Sequence, residues 1–150
     1  MSRIDFHVMM LKICDLIAQR AMCVKGKVGA VIVKNGQIVS CGYNGMITGL
    51  QNCKSESDCP RIGIAHGTRY EVGDCAHAES NAIFFCARNG ICCNETTLYV
   101  NSAPCNLCAR AIAQAGIKEV HFIDTGLYTG SEVLQKAYIK YHAYNREDLK

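Results

Sequence analysis

Apolar residues at Ile4, Val8, Leu11, Leu16, Ile17 and Ala21 recur mostly three or four positions apart. That spacing predicts an amphipathic helix over residues 4–22, with Asp5 in its first turn and Arg20 near its end, each where the helix dipole favours its charge. Two β-rich runs follow at 29–33 and 38–41. They are joined at Asn35-Gly36, the dipeptide that best turns a two-residue hairpin because both residues accept positive φ. Ala78, Ala82, Ile83, Phe85 and Cys86 mark a second helix over 75–88. Beyond it the pattern predicts a strand at 97–101, a helix at 105–115 with Pro104 at its first position, a strand at 119–123 and a closing helix at about 131–141. Helices alternating with strands behind an opening hairpin predict the α/β class, as an α/β/α sandwich with a mixed sheet. Residues 43–74 show no period. A loop of that length in a compact domain is expected to be functional or held by a metal.

Length and composition narrow this picture. The 150 residues, 49% of them apolar, fit one domain spanning 1–150. No apolar run approaches the ~20 residues of a membrane span. The first residues carry Arg3 and Asp5 and enter a helical pattern, not a signal-peptide core, so a cytoplasmic location is expected. Eleven cysteines, an odd number without an export signal, read as reduced thiols and metal ligands. In that compartment the Asn94-Glu95-Thr96 sequon has no glycosylation meaning. Cys14, Cys41, Cys86, Cys92 and Cys93 read as small apolar residues, and His7, His121 and His142 as histidines without a partner pattern. A net charge of +3 suits a protein that handles small anions and lacks the basic stripe of a nucleic-acid binder.

The chemistry concentrates in His77-Ala78-Glu79 and Pro104-Cys105-Asn106-Leu107-Cys108. A catalytic zinc needs three protein ligands and an open position for water, and His77, Cys105 and Cys108 supply that number. Zinc lowers the pKa of a bound water to about 7, which provides a nucleophile near neutrality. Glu79 is then left over for proton transfer. Either half alone is weak, since a lone Cys-x-x-Cys is equally a zinc knuckle, a redox pair or two core thiols. Both halves in this order, each opening a predicted helix, form the signature of zinc deaminases. Two helix N-termini aimed at one metal also favour its thiolates. Lys25 and Lys27, ahead of the first strand, are candidates to meet a phosphate.

With Lys27-Val28-Gly29-Ala30-Val31-Ile32-Val33, Gly42-Tyr43-Asn44-Gly45, His77-Ala78-Glu79-Ser80-Asn81-Ala82-Ile83, Pro104-Cys105-Asn106-Leu107-Cys108-Ala109 and Gln114-Ala115-Gly116-Ile117 in view, the chain resembles the cytidine deaminase superfamily over roughly residues 5–124. Within it the deoxycytidylate (dCMP) deaminases, including phage and late-competence-operon members, fit best. The resemblance implies hydrolysis of dCMP to dUMP and ammonia, feeding dTMP synthesis. It implies Asn44 at the sugar and base, Ala78 bonding the base through its backbone, Arg88 handling phosphate near a subunit contact, and Tyr128 lining the nucleotide pocket. The segment Asp124-Thr125-Gly126-Leu127-Tyr128 departs from a more acidic, tyrosine-rich stretch in many relatives. Cys23, Cys53 and Cys75 match a second, structural zinc site of some members, with Cys59 or His66 as the fourth ligand. Such proteins assemble as homo-oligomers, often hexamers, switched on by dCTP with Mg²⁺ and off by dTTP, with the 42–45 turn a candidate effector region. Deaminases of dCTP or of RNA and tRNA bases share the zinc motif, and a zinc-stabilised binding module without catalysis is a further alternative. With four Phe, seven Tyr and no Trp, the chain offers no evident platform for stacking polynucleotide bases. Glu79 argues against the binding module, because a metal whose ligands are already supplied has no structural use for it.

Overall fold

The computed structural model describes residues 2–150. Helix α1 spans Phe6–Ala18, shorter than its apolar pattern. Asp5 lies outside it as the N-cap, its carboxylate accepting from the amides of His7 and Val8. Strands β1 (Gly29–Lys34) and β2 (Gln37–Tyr43) form the antiparallel hairpin, with Asn35 and Gly36 at φ of 50° and 76° as the turn requires. In the long loop a two-residue strand β3 (Gly45–Met46) pairs with β4 (Cys75–Ala76), so the expected start of the second helix is extended instead. Helix α2 (Ala78–Arg88), strand β5 (Thr97–Val100), helix α3 (Asn106–Gln114), strand β6 (Glu119–Ile123) and helix α4 (Gly130–Lys136) follow.

The closing helix is shorter than its pattern suggests, and a strand β7 (Lys140–Tyr144) follows where helix was expected. Tyr138 causes the change. It takes φ of 56°, and the amides of Tyr138 and Ile139 turn back to the carbonyls of Gln135 and Leu134, which ends α4 in a Schellman motif. Its side chain is 97% exposed, so nothing but backbone geometry holds a tyrosine where glycine is favoured. Tyr138→Gly should therefore raise stability by roughly 0.5–1 kcal/mol, read as a higher midpoint in urea unfolding.

The sheet order is β2-β1-β5-β6-β7, antiparallel from β2 to β5 and parallel from β5 to β7. Alternation along the strands splits the core. Ala30, Ile32, Leu98, Val100, Val120 and Phe122 face α2, α3 and α4, whereas Val31, Val33, Tyr99 and Ile123 face α1. The result is the α/β/α sandwich with a mixed sheet that the pattern predicted. Among the described residues no helix is long and apolar enough to cross a membrane.

Candidate active site

His77 and Cys105 are the N-cap residues of α2 and α3, and Cys108 follows in the first turn of α3. Pro104 lies one position before that cap, not at the first helical position, and its carbonyl accepts from the Gly130 amide at 3.0 Å. Helix α2 is docked on the hairpin by Ser40 Oγ donating to the Ala82 carbonyl at 2.7 Å and by Asn81 Nδ2 donating to the Tyr43 carbonyl at 2.8 Å. Beside these bonds Gly42 lets the helix backbone touch the strand. On the other side of the site, Asn101 Oδ1 accepts from the Gly29 amide at 2.9 Å, joining the end of β5 to β1. The two helix starts thus meet at one end of the sheet.

There His77 Nδ1 lies 3.4 Å from Cys105 Sγ and 3.5 Å from Cys108 Sγ, and the three donor atoms fall within 4.8 Å of one another. The Cys108 amide points at Cys105 Sγ from 3.4 Å, and Ser80 Oγ is 3.6 Å from Cys108 Sγ. The bond from the Cys108 thiol, then that from His77, holds the Cys105 thiol far below its ordinary range, and Cys108 is pushed up in turn. The same bond to Cys105 raises His77. Glu79 is 4% exposed, and burial lifts its carboxyl to about 7.

This donor set fits a divalent cation with sulfur and imidazole preference. Two thiols and one ring nitrogen converge in a mostly buried recess, and the buried hydroxyl of Tyr70 beside them has no hydrogen-bond partner. Burial, with the Cys105 sulfur nearby, pushes that hydroxyl above its ordinary range.

A cavity of about 220 Å³ opens beside His77 and Cys105, lined among others by Lys27, Asn44, Ala78, Glu79, Tyr70 and Tyr128. Asn44 is bound to backbone, with Oδ1 accepting from the Val28 amide at 2.8 Å and Nδ2 donating to the Gly26 carbonyl at 2.9 Å, so it shapes the rim formed by residues 26–28. Tyr128 Oη pairs with His66 Nδ1 at 2.9 Å, and burial raises Tyr128 to about 12, so the phenol stays protonated. Arg88 does not line the cavity of this protomer. It closes a helix of 11 residues whose first turn holds Glu79, and at about 1.5 Å rise per residue its Cα lies roughly 13 Å from that of Glu79 along the axis.

The long loop has little regular structure, yet it is tied down. Arg61 donates to the carbonyls of Thr68, Arg69 and Val72 at 2.7, 2.5 and 2.9 Å, and Lys25 Nζ donates to those of Arg61 and Ile64. Cys23, Cys59 and Cys75 line the same cavity. Burial raises the Cys75 thiol, with smaller contributions from Cys23, Cys53 and Cys59, and Cys53 is raised by burial and by Cys59. No three of these sulfurs lie within 4.8 Å of one another. The loop also carries Tyr70 and Arg61, which the sequence pattern did not single out, because a segment without a period gives no hint of which residues face inward.

Residues 5–124 match the family described as the cytidine and deoxycytidylate deaminase zinc-binding region. The chain is 36% identical over 147 residues to the deoxycytidylate deaminase of Enterobacteria phage T2, covering 77% of this chain and 78% of that protein. It is 39% identical over 127 residues to the deoxycytidylate deaminase of Mycobacterium phage D29, covering 80% and 95%. Among solved structures, the dCMP deaminase of cyanophage S-TIM5 in complex with dCMP and dUMP superposes with a TM-score of 0.77 at 28% identity, covering 96% of this chain and all of that one.

Proposed function

Because this chain belongs to the cytidine and deoxycytidylate deaminase family, we propose that it hydrolyses dCMP to dUMP and ammonia within pyrimidine deoxynucleotide metabolism. One observation carries the reading: a buried carboxylate, Glu79, lines a cavity together with His77 and Cys105, two of three convergent zinc-type donors. His77, Cys105 and Cys108 would hold the metal. When bound, zinc would acidify a water so that a nucleophile for C4 is available near neutral pH.

The remaining steps belong to the chain's own groups. Glu79 takes one proton from the attacking water and delivers it to N3. It then takes the second from the oxygen now on C4 and delivers it to the amino group, which departs as ammonia as the C4–N bond breaks and the C4 carbonyl forms. A carboxyl raised to about 7 can hold and release protons at neutral pH. The Ala78 backbone and the Asn44 rim orient the base and sugar, Tyr128 closes the wall beside the base, and Lys27 brings a positive charge to the mouth of the cavity. Arg88 enters this reading only in an oligomer, where a neighbouring subunit's phosphate could reach it.

We take residues 1–150 as one deaminase domain in a cytoplasmic homo-oligomer such as a hexamer, with dCTP–Mg²⁺ and dTTP as effectors. Cys23, Cys53, Cys59 and Cys75 hold a second, structural zinc. Cys23, Cys59 and Cys75 line one cavity, which supports that set, and His66, engaged with Tyr128, is the weaker fourth ligand.

The test is loss of the cytosine ultraviolet absorbance on incubating zinc-loaded protein with dCMP, alone and with dCTP and Mg²⁺. Turnover of dCMP in either sample is the expected result. Turnover of dCTP or of RNA cytosine, without dCMP, would overturn the substrate assignment.

A further inference from the structure

On the face of the sheet that packs against α1, opposite the cavity, the last two parallel strands bring together groups that the deaminase reading leaves unused. Glu119 and His121 lie two apart on β6 and so share a face, and His142 sits opposite His121 on β7. Glu119 Oε1 is 3.0 Å from His121 Nε2 and 3.0 Å from His142 Nε2, and the donor atoms of the three residues fall within 4.8 Å of one another. His121 is 1% exposed, yet His142 is open enough to admit an ion.

We propose that Glu119, His121 and His142 form a binding site for a divalent transition metal, which clasps the edge strand β7 to β6. Two imidazole nitrogens and one carboxylate oxygen suit Zn²⁺, Co²⁺, Ni²⁺ or Cu²⁺, and three protein ligands leave room for water. The surroundings are built for such a ligand. His121 Nδ1 lies 2.9 Å from Tyr144 Oη, and a hydroxyl serves as donor or acceptor there. In the metal-free state both Nε2–H groups donate to Glu119 Oε1 while Tyr144 donates to His121 Nδ1. On binding, each imidazole moves its proton to Nδ1, freeing the Nε2 lone pair, and Tyr144 turns to accept from His121. No net proton is released. The stacked ring of His7, 4.3 Å from His121, fixes the plane of that imidazole. Lys140 Nζ, 3.7 Å from Glu119 Oε1, competes as a cation, but its side chain is 67% exposed and free to withdraw.

The experiment uses the full chain with zinc already on its thiolate ligands, dialysed against Co²⁺. One further equivalent is expected in the wild type, with visible d–d absorption and no sulfur-to-cobalt charge-transfer band. His142→Ala and Glu119→Gln should each weaken that equivalent at least about tenfold while dCMP turnover stays unchanged, and Tyr144→Phe should weaken it about 10- to 100-fold as the loss of an outer partner does. Lys140→Ala removes no ligand, only the cation that competes for Glu119, and should tighten binding. No additional equivalent in the wild type, equal binding by the His142 variant, a sulfur charge-transfer band on the added cobalt, or unchanged affinity in the Lys140 variant would overturn the site.

Discussion

Glu79→Gln is expected to leave the fold and the zinc content intact and to lower dCMP turnover about a thousandfold, the loss typical for removing a positioned proton carrier. The two side chains have nearly the same shape, so the change removes a proton site and little else. Its effect on stability should be neutral or favourable. A carboxylate kept at 4% exposure, with its pKa lifted by burial, carries a desolvation cost that an amide avoids. Unchanged or higher melting temperature combined with lost turnover is therefore the signature of a group retained for chemistry at the expense of stability. Metal analysis, a thermal melt and a dCMP assay on the same preparation read all three. Surviving turnover would assign the proton transfers to another group and remove the central element of the mechanism.

Gly42→Ala is expected to cost about 3 kcal/mol or more and to lower zinc occupancy along with activity. A Cβ built at Gly42 would lie 2.4 Å from the Ala78 carbonyl and 2.6 Å from the Ala82 amide. These are backbone atoms of α2 and cannot rotate away, so the helix itself must shift. The first turn of α2 carries Glu79 and its N-cap is His77, so a displacement that merely loosens packing elsewhere here moves a ligand away from Cys105 and Cys108. Gly26→Ala provides the control. Nothing lies within 4 Å of its added Cβ, and a change within about 0.5 kcal/mol is expected from urea unfolding. Equal stability of the two variants would show that the contact between α2 and β2 does not position the site.

The parts of the site that were legible in the sequence share one property: their geometry is local. Cys105 and Cys108 are three apart at a helix start, and His77 and Glu79 are two apart at another, so residue type and spacing already constrain which atoms can meet. The Asn35-Gly36 hairpin is legible for the same reason, since two residues carry all of its conformational demand. Asn44 was legible as a candidate for the site, but its role as a brace for residues 26–28 was not, because its partners lie 16 and 18 positions away.

The identity of the donor atoms, the spare carboxylate, the class of reaction and most of the strand and helix order follow from the sequence by itself, through short-range spacing and hydrophobic period. Only the tertiary structure decided that α4 ends early and yields to β7, because a positive φ at an exposed tyrosine leaves no mark in the apolar pattern. It likewise decided that Arg88 lies a helix length from the cavity, that Tyr70 forms part of the wall, and that Glu119, His121 and His142 meet across two parallel strands. Those placements depend on which faces pack together over long separations in the chain, and that information resides in the assembled sandwich rather than in any window of residues.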